Sequence, residues 1–438
     1  MNYKNAANST DNSSNWIRQT MRQFSSQEYH DSYTQAVEAI FGENYSAGIE
    51  SLTELVYSGN IPVNELTVPE SLIDRLQNIM LDDNSQFERI FRLYMEISEK
   101  SSRVLDNAYL MKQFISQTYS ENQVIASYSM TILSNLVSSK YMPVEEVLAS
   151  VEYQIRDTSL VEPAFVLMEK ILSNYLANPG VVDRIAIMVG TYMDVMETDV
   201  IMNTIAVITA KILVQDSRYT NYFIDKSVIS QIMDRFYELR NRVDEFTVSC
   251  LRLAYIVMNN GFDSYLMEEI DLTFVWNYII RNVSNQAVIT KSFCLLSVIP
   301  SKYYDLILMP YLSDENMYCI IDKMVSGSIN TKLSGLDLLT SLLSIHDISL
   351  FKRVKEYGLI DLIRKLFSPE IGADLQRSLL MLLRTIICNY RLISAEEYKM
   401  VQERVSDEFM DDMELILETT DDEKLSDEII CTINLISN

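Results

Sequence analysis

The feature that most restricts how this chain can fold is an internal repeat. Ten short apolar segments, most of them with a small or polar residue at or near the end, recur along most of its 438 residues. They are LTEL at 52–55, YMEIS at 94–98, ILSNL at 132–136, ILSNY at 171–175, AKILV at 210–214, YIVMN at 255–259, LSVIP at 296–300, SLLSI at 341–345, TIICN at 385–389 and TINLIS at 432–437. Comparable positions from Leu133 to Ile433 follow one another at intervals of 39 to 46 residues. Self-similarity at a fixed period predicts a stack of similar units rather than one compact core.

The length of the repeat indicates which units these are. Armadillo and HEAT units of two or three helices take about 40–47 residues each. Glycine and proline number only 10 and 8, well below average usage, and this favours helices over sheets and phosphate-binding loops. The sequence therefore predicts an all-α fold, a right-handed α-solenoid of about nine to ten armadillo/HEAT-like repeats.

One unit, at 356–389, shows the pattern clearly. Gly358 interrupts the chain, and apolar residues then follow at helical spacing as far as Phe367. Ser368 starts the turn into a second helix that is apolar on nearly every side, with the residues Leu375, Leu379, Leu380, Leu382, Leu383, Ile386 and Ile387. A helix of this kind must be covered by neighbours on both sides, as in a stacked repeat.

The two ends of the chain differ from the repeats. Residues 1–35 are rich in Asn and Ser, so we predict a disordered polar segment followed by one solenoid domain at 36–438. Residues 402–438 hold a dense run of acids whose apolar residues keep helical spacing, which predicts an acidic terminal capping repeat.

Charge and hydropathy exclude several classes of function. The net charge of −25 argues against a nucleic-acid surface. The longest apolar stretch, 200–214, is broken by polar residues and is too short to span a bilayer. With five cysteines and no CxxC pair, we expect buried free thiols in a soluble intracellular protein.

Catalytic and metal-binding signals are weak. The sequence has no P-loop, GxGxxG, HExxH or GxSxG motif. Its only histidines are His30 and His346, too few for a multi-histidine metal site. We therefore expect no catalytic residues, no metal and no cofactor, and we expect that the protein is not an enzyme.

Three N-terminal segments carry a resemblance to a known family. Residues 36–76 read AVEAIFGENYSAGIESLTELVYSGNIPVNELTVPESLIDRL, residues 85–98 read SQFERIFRLYMEIS and residues 126–136 read ASYSMTILSNL. They resemble the opening repeats of importin-α, the armadillo adaptor that carries basic nuclear localisation signals. The resemblance implies an adaptor in nuclear protein import, located in cytoplasm and nucleus. Its implied partners are basic segments of cargo proteins and an importin-β-type carrier.

The resemblance also implies a set of binding residues. Trp-x-x-x-Asn pairs line the concave face of the family, where the Asn amide bonds the peptide backbone and the indole packs a Lys stem. The positions of this chain that fall on the Asn or aromatic places are Phe91, Asn135, Asn174, Tyr255, Asn259, Asn389 and Asn434. An Asn near a helix end is also an ordinary cap, and aromatic residues at this spacing also fill cores.

Departures from the family pattern favour an alternative function. Thr131 and Lys170 stand four residues before Asn135 and Asn174, and residues 1–35 lack a strongly basic segment. The alternative is an armadillo-repeat scaffold that binds a folded protein partner outside nuclear transport. The acids could line a binding surface for basic peptides, or they could form a solvated outer surface.

Overall fold

A computed structural model describes residues 30–58, 70–193, 198–281, 283–344 and 347–437. Within these ranges the regular structure consists of helices joined by short turns, and no strand occurs. The chain before residue 30, the whole of the NIPVNEL segment at 60–66, and His346 lie outside the described residues.

The first part of the chain holds nine helices among its described residues. A helix α1 covers residues 30–41, so residues 30–35 are helical although their composition predicts disorder. The helices that follow are α2 (Tyr45–Tyr57), α3 (Glu70–Asp82), α4 (Phe87–Lys100), α5 (Ala108–Thr118), α6 (Gln123–Asn135), α7 (Val144–Gln154), α8 (Val161–Tyr175) and α9 (Pro179–Tyr192).

The second part of the described chain begins with α10 (Asp199–Gln215). After it come α11 (Tyr219–Asp225), α12 (Val228–Glu238), α13 (Glu245–Asn259), α14 (Asp263–Glu269), α15 (Trp276–Ile280), α16 (Gln286–Ser297), α17 (Tyr304–Ile307) and α18 (Asp314–Ser326). The last are α19 (Ile329–Leu343), α20 (Ile348–Val354), α21 (Leu359–Leu366), α22 (Ala373–Ile393), α23 (Ala395–Thr419) and α24 (Glu423–Ser437). The pair α23 and α24 accounts for the acidic terminal region, with α23 beginning at 395 rather than 402.

The chain divides into two compact units, Met1–Glu197 (unit 1) and Thr198–Asn438 (unit 2). In unit 1 the helices α2, α4, α6 and α8 pack one on the next. In unit 2 the same serial packing joins α10, α13, α16, α19, α22 and α24. We call these ten the stacking helices; the others pack beside them as flanking helices. Each unit is therefore an all-α solenoid, which confirms the predicted fold class.

Every recurrent apolar segment of the sequence falls in the C-terminal half of a stacking helix or directly after it. Most of their large side chains are buried, as Leu133 in α6 and Leu172 in α8 show. The seven residues of α22 that predicted a helix covered on both sides are all buried as well. Burial of repeated apolar positions against the preceding and following helix is what holds a solenoid together.

Polar residues set where many of these helices begin. The Asn122 side chain accepts hydrogen bonds from the backbone N–H groups of Val124 and Ile125 at 3.0 and 3.4 Å. Asn285 does the same for Ala287 and Val288 at the start of α16. Such caps satisfy N–H groups that have no partner within the helix, so they fix the residue at which α6 and α16 begin.

The cysteines only partly follow the expectation of buried thiols. All five are free, and Cys250 is buried, but Cys431 on α24 is exposed. Cys294, Cys319 and Cys388 are half-buried. No helix of the described chain is long and apolar enough to cross a membrane, and no metal-binding group of His, Cys, Asp or Glu occurs in those residues.

Candidate protein-binding surface

Each stacking helix leaves one row of side chains uncovered, at intervals of three or four residues. In unit 1 this row is exposed or half-buried and consists of Ala47, Ser51 and Glu54 on α2, Glu88, Arg92 and Glu99 on α4, Val124, Ser127, Thr131 and Asn135 on α6, and Val166, Lys170, Ser173 and Asn174 on α8. Because α2, α4, α6 and α8 pack in series, these rows lie on neighbouring helices. We call this surface the unit 1 row.

Unit 2 has a corresponding surface, the unit 2 row. Its members on the first three helices are Val200, Thr204, Val207, Lys211 and Val214 on α10, Glu245, Arg252, Tyr255 and Asn259 on α13, and Gln286, Thr290, Lys291 and Cys294 on α16. On the next three they are Asn330, Leu333, Asp337 and Ser344 on α19, Asp374, Ser378, Met381 and Thr385 on α22, and Asp427, Ile430 and Asn434 on α24. Most are small, polar or charged, unlike the buried faces.

Two of the predicted asparagines join one stacking helix to the helix before it. The Asn135 side-chain amide donates to the Ser98 hydroxyl of α4 at 2.9 Å. The Asn389 amide donates to the backbone carbonyls of Leu343 and Thr385 at 2.9 and 2.8 Å, and only 2% of the residue is exposed. Both N–H groups of Asn389 are thus used inside the protein, so its role is structural. Asn135 is half-buried and keeps part of its surface in the unit 1 row.

The other three asparagines lie at the surface. Asn174 is exposed, and its amide donates to the Lys170 carbonyl of the same helix at 3.0 Å. Asn259 is exposed as the last residue of α13, and Asn434 is exposed on α24. Asn174 belongs to the unit 1 row, whereas Asn259 and Asn434 belong to the unit 2 row.

The two predicted aromatic residues have different places. Phe91 is completely buried, stacked on Phe87 at a centroid distance of 4.9 Å and edge-on to Phe114 at 5.9 Å. Phe91 offers no surface to a peptide. The uncovered row of α4 includes the next residue, Arg92, whose side chain points about 100° away from that of Phe91 around the helix. The prediction that Phe91 binds peptide is therefore replaced by a packing role. Tyr255 is half-buried and lies in the unit 2 row.

The acids are distributed unevenly. On α2 and α4 the unit 1 row carries Glu54, Glu88 and Glu99 beside Arg92. The exposed side of α23, a flanking helix, carries a longer series, Glu403, Asp407, Asp411, Glu414 and Glu418. Some acids therefore lie on the rows of stacking helices and others lie on the exposed side of a flanking helix.

Among the carboxyl groups whose pKa is altered, one in each unit lies on a stacking helix next to other charged groups. Burial raises the pKa of Glu96 on α4, and the neighbouring charge of Glu99 raises it further. In unit 2, hydrogen bonds from Arg235 lower the pKa of Asp199, and Arg242 adds to the effect. The Asp199 carboxylate lies 2.7 Å from the Arg235 guanidinium. Neither arrangement places a nucleophile or proton acceptor in a closed cleft, as catalysis would need.

Sequence reasoning missed a second surface, at the C-terminal ends of flanking helices in unit 1. Leu81, Tyr119 and Tyr153 end α3, α5 and α7 with 79%, 45% and 59% of their surfaces exposed. The rings of Tyr119 and Tyr153 are 5.3 Å apart. We call these three residues the aromatic edge. Their recurrence at intervals of 38 and 34 residues is a signal that could have revealed it.

No protein-family model and no curated protein matches the chain. Solved structures that resemble it include karyopherin Kap121p bound to Nup53p, with 12% identity, a TM-score of 0.41, and coverage of 93% of this chain and 45% of the other. A structure from work on cadherin and beta-catenin has 11% identity, a TM-score of 0.45, and coverage of 92% and 91%. This chain thus spans less than half the length of the karyopherin chains. These neighbours are helical solenoid proteins, and the similarity concerns the fold alone.

Proposed function

We propose that this protein is a non-enzymatic adaptor that holds extended polypeptide segments along the rows of its stacking helices. The observation that carries the proposal is the recurrence of an uncovered, largely polar row on every stacking helix of a unit. Packed helix axes lie about 8–10 Å apart, and an extended chain advances about 3.3 Å per residue. A bound segment therefore passes one helix for roughly every three of its residues, so successive helices can contact successive side chains.

Within this proposal, the ligand of unit 1 is a basic segment of the nuclear-localisation type, and the protein acts in nuclear import with an importin-β-type carrier. The resemblance of residues 36–136 to importin-α supports this assignment. The unit 1 row supports it chemically, because the exposed carboxylates of Glu54, Glu88 and Glu99 lie on two adjacent helices. Carboxylates form charge-assisted hydrogen bonds with Lys and Arg side chains.

The asparagines of unit 1 would bind the backbone of the same segment. Asn174 is exposed on α8, the last stacking helix of the unit. The Asn135 oxygen remains available as an acceptor while its amide N–H holds Ser98. An Asn side chain that both donates and accepts matches the alternating N–H and C=O groups of an extended chain.

Titration of the protein with a fluorescent Lys/Arg-rich peptide, at low and at high salt, tests this proposal. We expect micromolar binding at low salt that weakens as salt is raised. The triple variant Glu54→Gln/Glu88→Gln/Glu99→Gln should weaken binding by roughly tenfold or more. The matched control Glu403→Gln/Asp407→Asn/Asp411→Asn makes the same charge change on α23 and should have little effect. Absence of salt-sensitive binding, or an equal loss in both variants, would contradict the assignment.

The aromatic edge favours a second candidate function, a scaffold for a folded protein outside nuclear transport. Tyr119 and Tyr153 are exposed and their rings are in contact. Leu81 is exposed near the end of α3, the flanking helix that precedes α5 in the chain. Contiguous apolar surface of this kind marks many protein–protein interfaces, and Tyr is enriched at their centres. A pull-down with the wild-type protein identifies the proteins that it retains. If Tyr119→Ser/Tyr153→Ser loses these proteins while Glu54→Gln/Glu88→Gln/Glu99→Gln keeps them, the scaffold function is favoured. The reverse pattern favours the adaptor for basic segments.

A further inference from the structure

Three consecutive stacking helices of unit 2 each place one basic residue in the unit 2 row. They are Lys211 on α10, Arg252 on α13 and Lys291 on α16, separated by 41 and 39 residues. Because α10 packs on α13 and α13 packs on α16, the three residues lie on neighbouring helices. We call Lys211, Arg252 and Lys291 the cationic set.

Two members of the set have no acidic partner within the residues that the structure describes. Arg252 is exposed and Lys291 is half-buried, and neither takes part in an ion pair. Other cations of the same unit are paired: Arg235 with Asp199 at 2.7 Å, and Lys302 with Asp263 at 2.6 Å. In a chain with a net charge of −25, unpaired cations on adjacent helices are a marked local exception.

The helices around the cationic set contain few acids. Helix α16 has no Asp or Glu, and the only acid of α10 is Asp199, which is held by Arg235 and Arg242. Helix α13 has one acid, Glu245, in its first turn and two turns before Arg252. Helix α19, which packs on α16, carries the exposed acid Asp337, one turn after Ser334. Over α10, α13 and α16 the unit 2 row therefore holds three basic residues and one acid, Glu245, although the protein as a whole is strongly negative.

A cavity of about 570 Å³ adjoins the set between α16 and α19. Its lining includes Lys291 together with neutral hydrogen-bonding groups, namely Gln286, Thr290, Asn330 and Ser334. Two contacts between α16 and α19 fix its wall: Thr290 to Thr331 at 2.7 Å, and the Cys294 sulfur to the Ser334 hydroxyl at 3.1 Å. One ammonium among amides and hydroxyls, with no carboxylate in the lining, fits a carboxylate ligand.

We propose that the unit 2 row over α10, α13, α16 and the start of α19 binds an extended acidic segment of a partner protein, with one Asp or Glu side chain in the cavity beside Lys291. Arg252 pairs with a further carboxylate of the segment. Tyr255 and Asn259 lie one and two turns after Arg252; Tyr255 contacts the side-chain stems of the segment and Asn259 its backbone. The inference goes beyond the basic ligand proposed for unit 1 and does not depend on it.

A polypeptide fits this surface better than a nucleic acid. Proteins that bind DNA commonly neutralise about 6–10 phosphates, whereas this surface offers three cations. At long range, the remaining negative charge of the protein repels a nucleic acid, which carries one negative charge per nucleotide. An acidic segment with a few carboxylates at intervals of about three residues matches both the number of cations and their placement on successive helices.

Titrating the full chain with two fluorescent peptides of equal length, one rich in Glu and one rich in Lys, tests the inference. The acidic peptide should bind at low salt and weaken as salt is raised. The variant Arg252→Gln/Lys291→Gln should reduce its affinity by roughly tenfold or more and leave affinity for the basic peptide unchanged. The control Lys226→Gln/Lys365→Gln removes two exposed cations elsewhere in unit 2 and should change the affinity by less than about twofold.

Several results would overturn the inference. One is no binding of the acidic peptide at low salt; another is an equal loss in the two double variants, which would indicate non-specific attraction. A third is tighter binding of a single-stranded oligonucleotide than of the peptide, lost on the same substitutions, because the ligand class would then be wrong. Circular dichroism and thermal unfolding of both variants confirm that the substitutions leave the fold intact. Loss of basic-peptide binding alone would refute the proposed function of unit 1 and leave this inference standing.

Discussion

Unit 1 carries Glu54, Glu88 and Glu99 in the uncovered rows of two adjacent stacking helices, whereas unit 2 carries Lys211, Arg252 and Lys291 in the uncovered rows of three. Both units bury the same kind of apolar residue between consecutive helices, such as Leu133 in α6 and Leu382 in α22. This difference shows that a helical repeat uses different residues for stacking and for its exposed surface. Buried positions fix the stacking, and the single uncovered row on each helix can vary in charge without disturbing it.

The largest expected effect comes from placing a charge in the stacking interface of either unit. Leu133 and Leu382 are completely buried, so Leu133→Asp or Leu382→Asp leaves an unpaired charge that costs roughly 3–5 kcal/mol. Hydrogen exchange should show the loss of amide protection centred on α4, α6 and α8 for the first variant and on α19, α22 and α24 for the second. This follows because each helix is held mainly by its neighbours.

The control for these two variants is Leu133→Met, a swap of similar volume that should cost less than about 1.5 kcal/mol. If Leu133→Asp were as stable as Leu133→Met, the serial stacking of unit 1 would be disproved. The corresponding result for Leu382 would disprove it for unit 2.

A second prediction separates asparagines that hold helices together from asparagines that are free to bind. Asn389→Ala leaves the Leu343 carbonyl in unit 2 without its buried donor, which should cost about 1–3 kcal/mol. Asn174→Ala in unit 1 removes an exposed side chain and should change stability by less than about 0.5 kcal/mol, while weakening binding of the basic peptide. Chemical denaturation measures the first effect and peptide titration the second. A large loss of stability in Asn174→Ala would argue against its binding role.

A third and smaller prediction concerns pH, which should act in opposite directions on the two units. Burial raises the pKa of Glu96 above its ordinary value of 4.5, so the folded state holds this proton more tightly than the unfolded chain does. Unit 1 therefore loses stability as pH rises from 4.5 through the folded pKa. Glu96→Gln should stabilise the protein at neutral pH and have little effect at pH 4 or below.

The matching residue in unit 2 is Asp199, whose pKa is lowered from its ordinary value of 3.8 mainly by hydrogen bonds from Arg235. Its stabilising contribution is present above 3.8 and is lost as pH falls through the folded pKa. Asp199→Asn should therefore destabilise at neutral pH and have little effect in strong acid. Denaturation midpoints of the two variants across this pH range provide the measurement, and effects of the same sign would contradict the contrast.

The repeat pattern predicted the stacking helices well, because burial on both sides demands apolar residues at fixed spacing, as in Leu379–Ile387 of α22. The binding residues were harder to predict. Asn135 and Asn389 follow the same pattern as Asn174, but only the structure shows that their amides bond the preceding helix. Phe91 and Arg92 are adjacent in the sequence, so their side chains point about 100° apart around α4. Because of this rotation, Phe91 is buried and Arg92 is exposed. A single sequence predicts which face of a helix is buried only to within about one residue.

The aromatic edge and the cationic set were missed for a related reason. Tyr119 and Tyr153 lie 34 residues apart in sequence, and their contact depends on how α5 and α7 are placed beside one another. Arg252 and Lys291 stand out only when the ion pairs of other cations are known. Charge and aromatic content are visible in the sequence, whereas the absence of a partner is visible only in three dimensions.

Site-specific photo-crosslinking tests the central claim most directly. A photo-reactive residue is placed in turn at Thr131 in the unit 1 row, at Thr290 in the unit 2 row and at Tyr153 on the aromatic edge, and each protein is exposed to the basic and the acidic peptide. The account predicts adducts of the basic peptide from position 131, adducts of the acidic peptide from position 290, and neither from position 153. Adducts of both peptides from position 153 alone would contradict it.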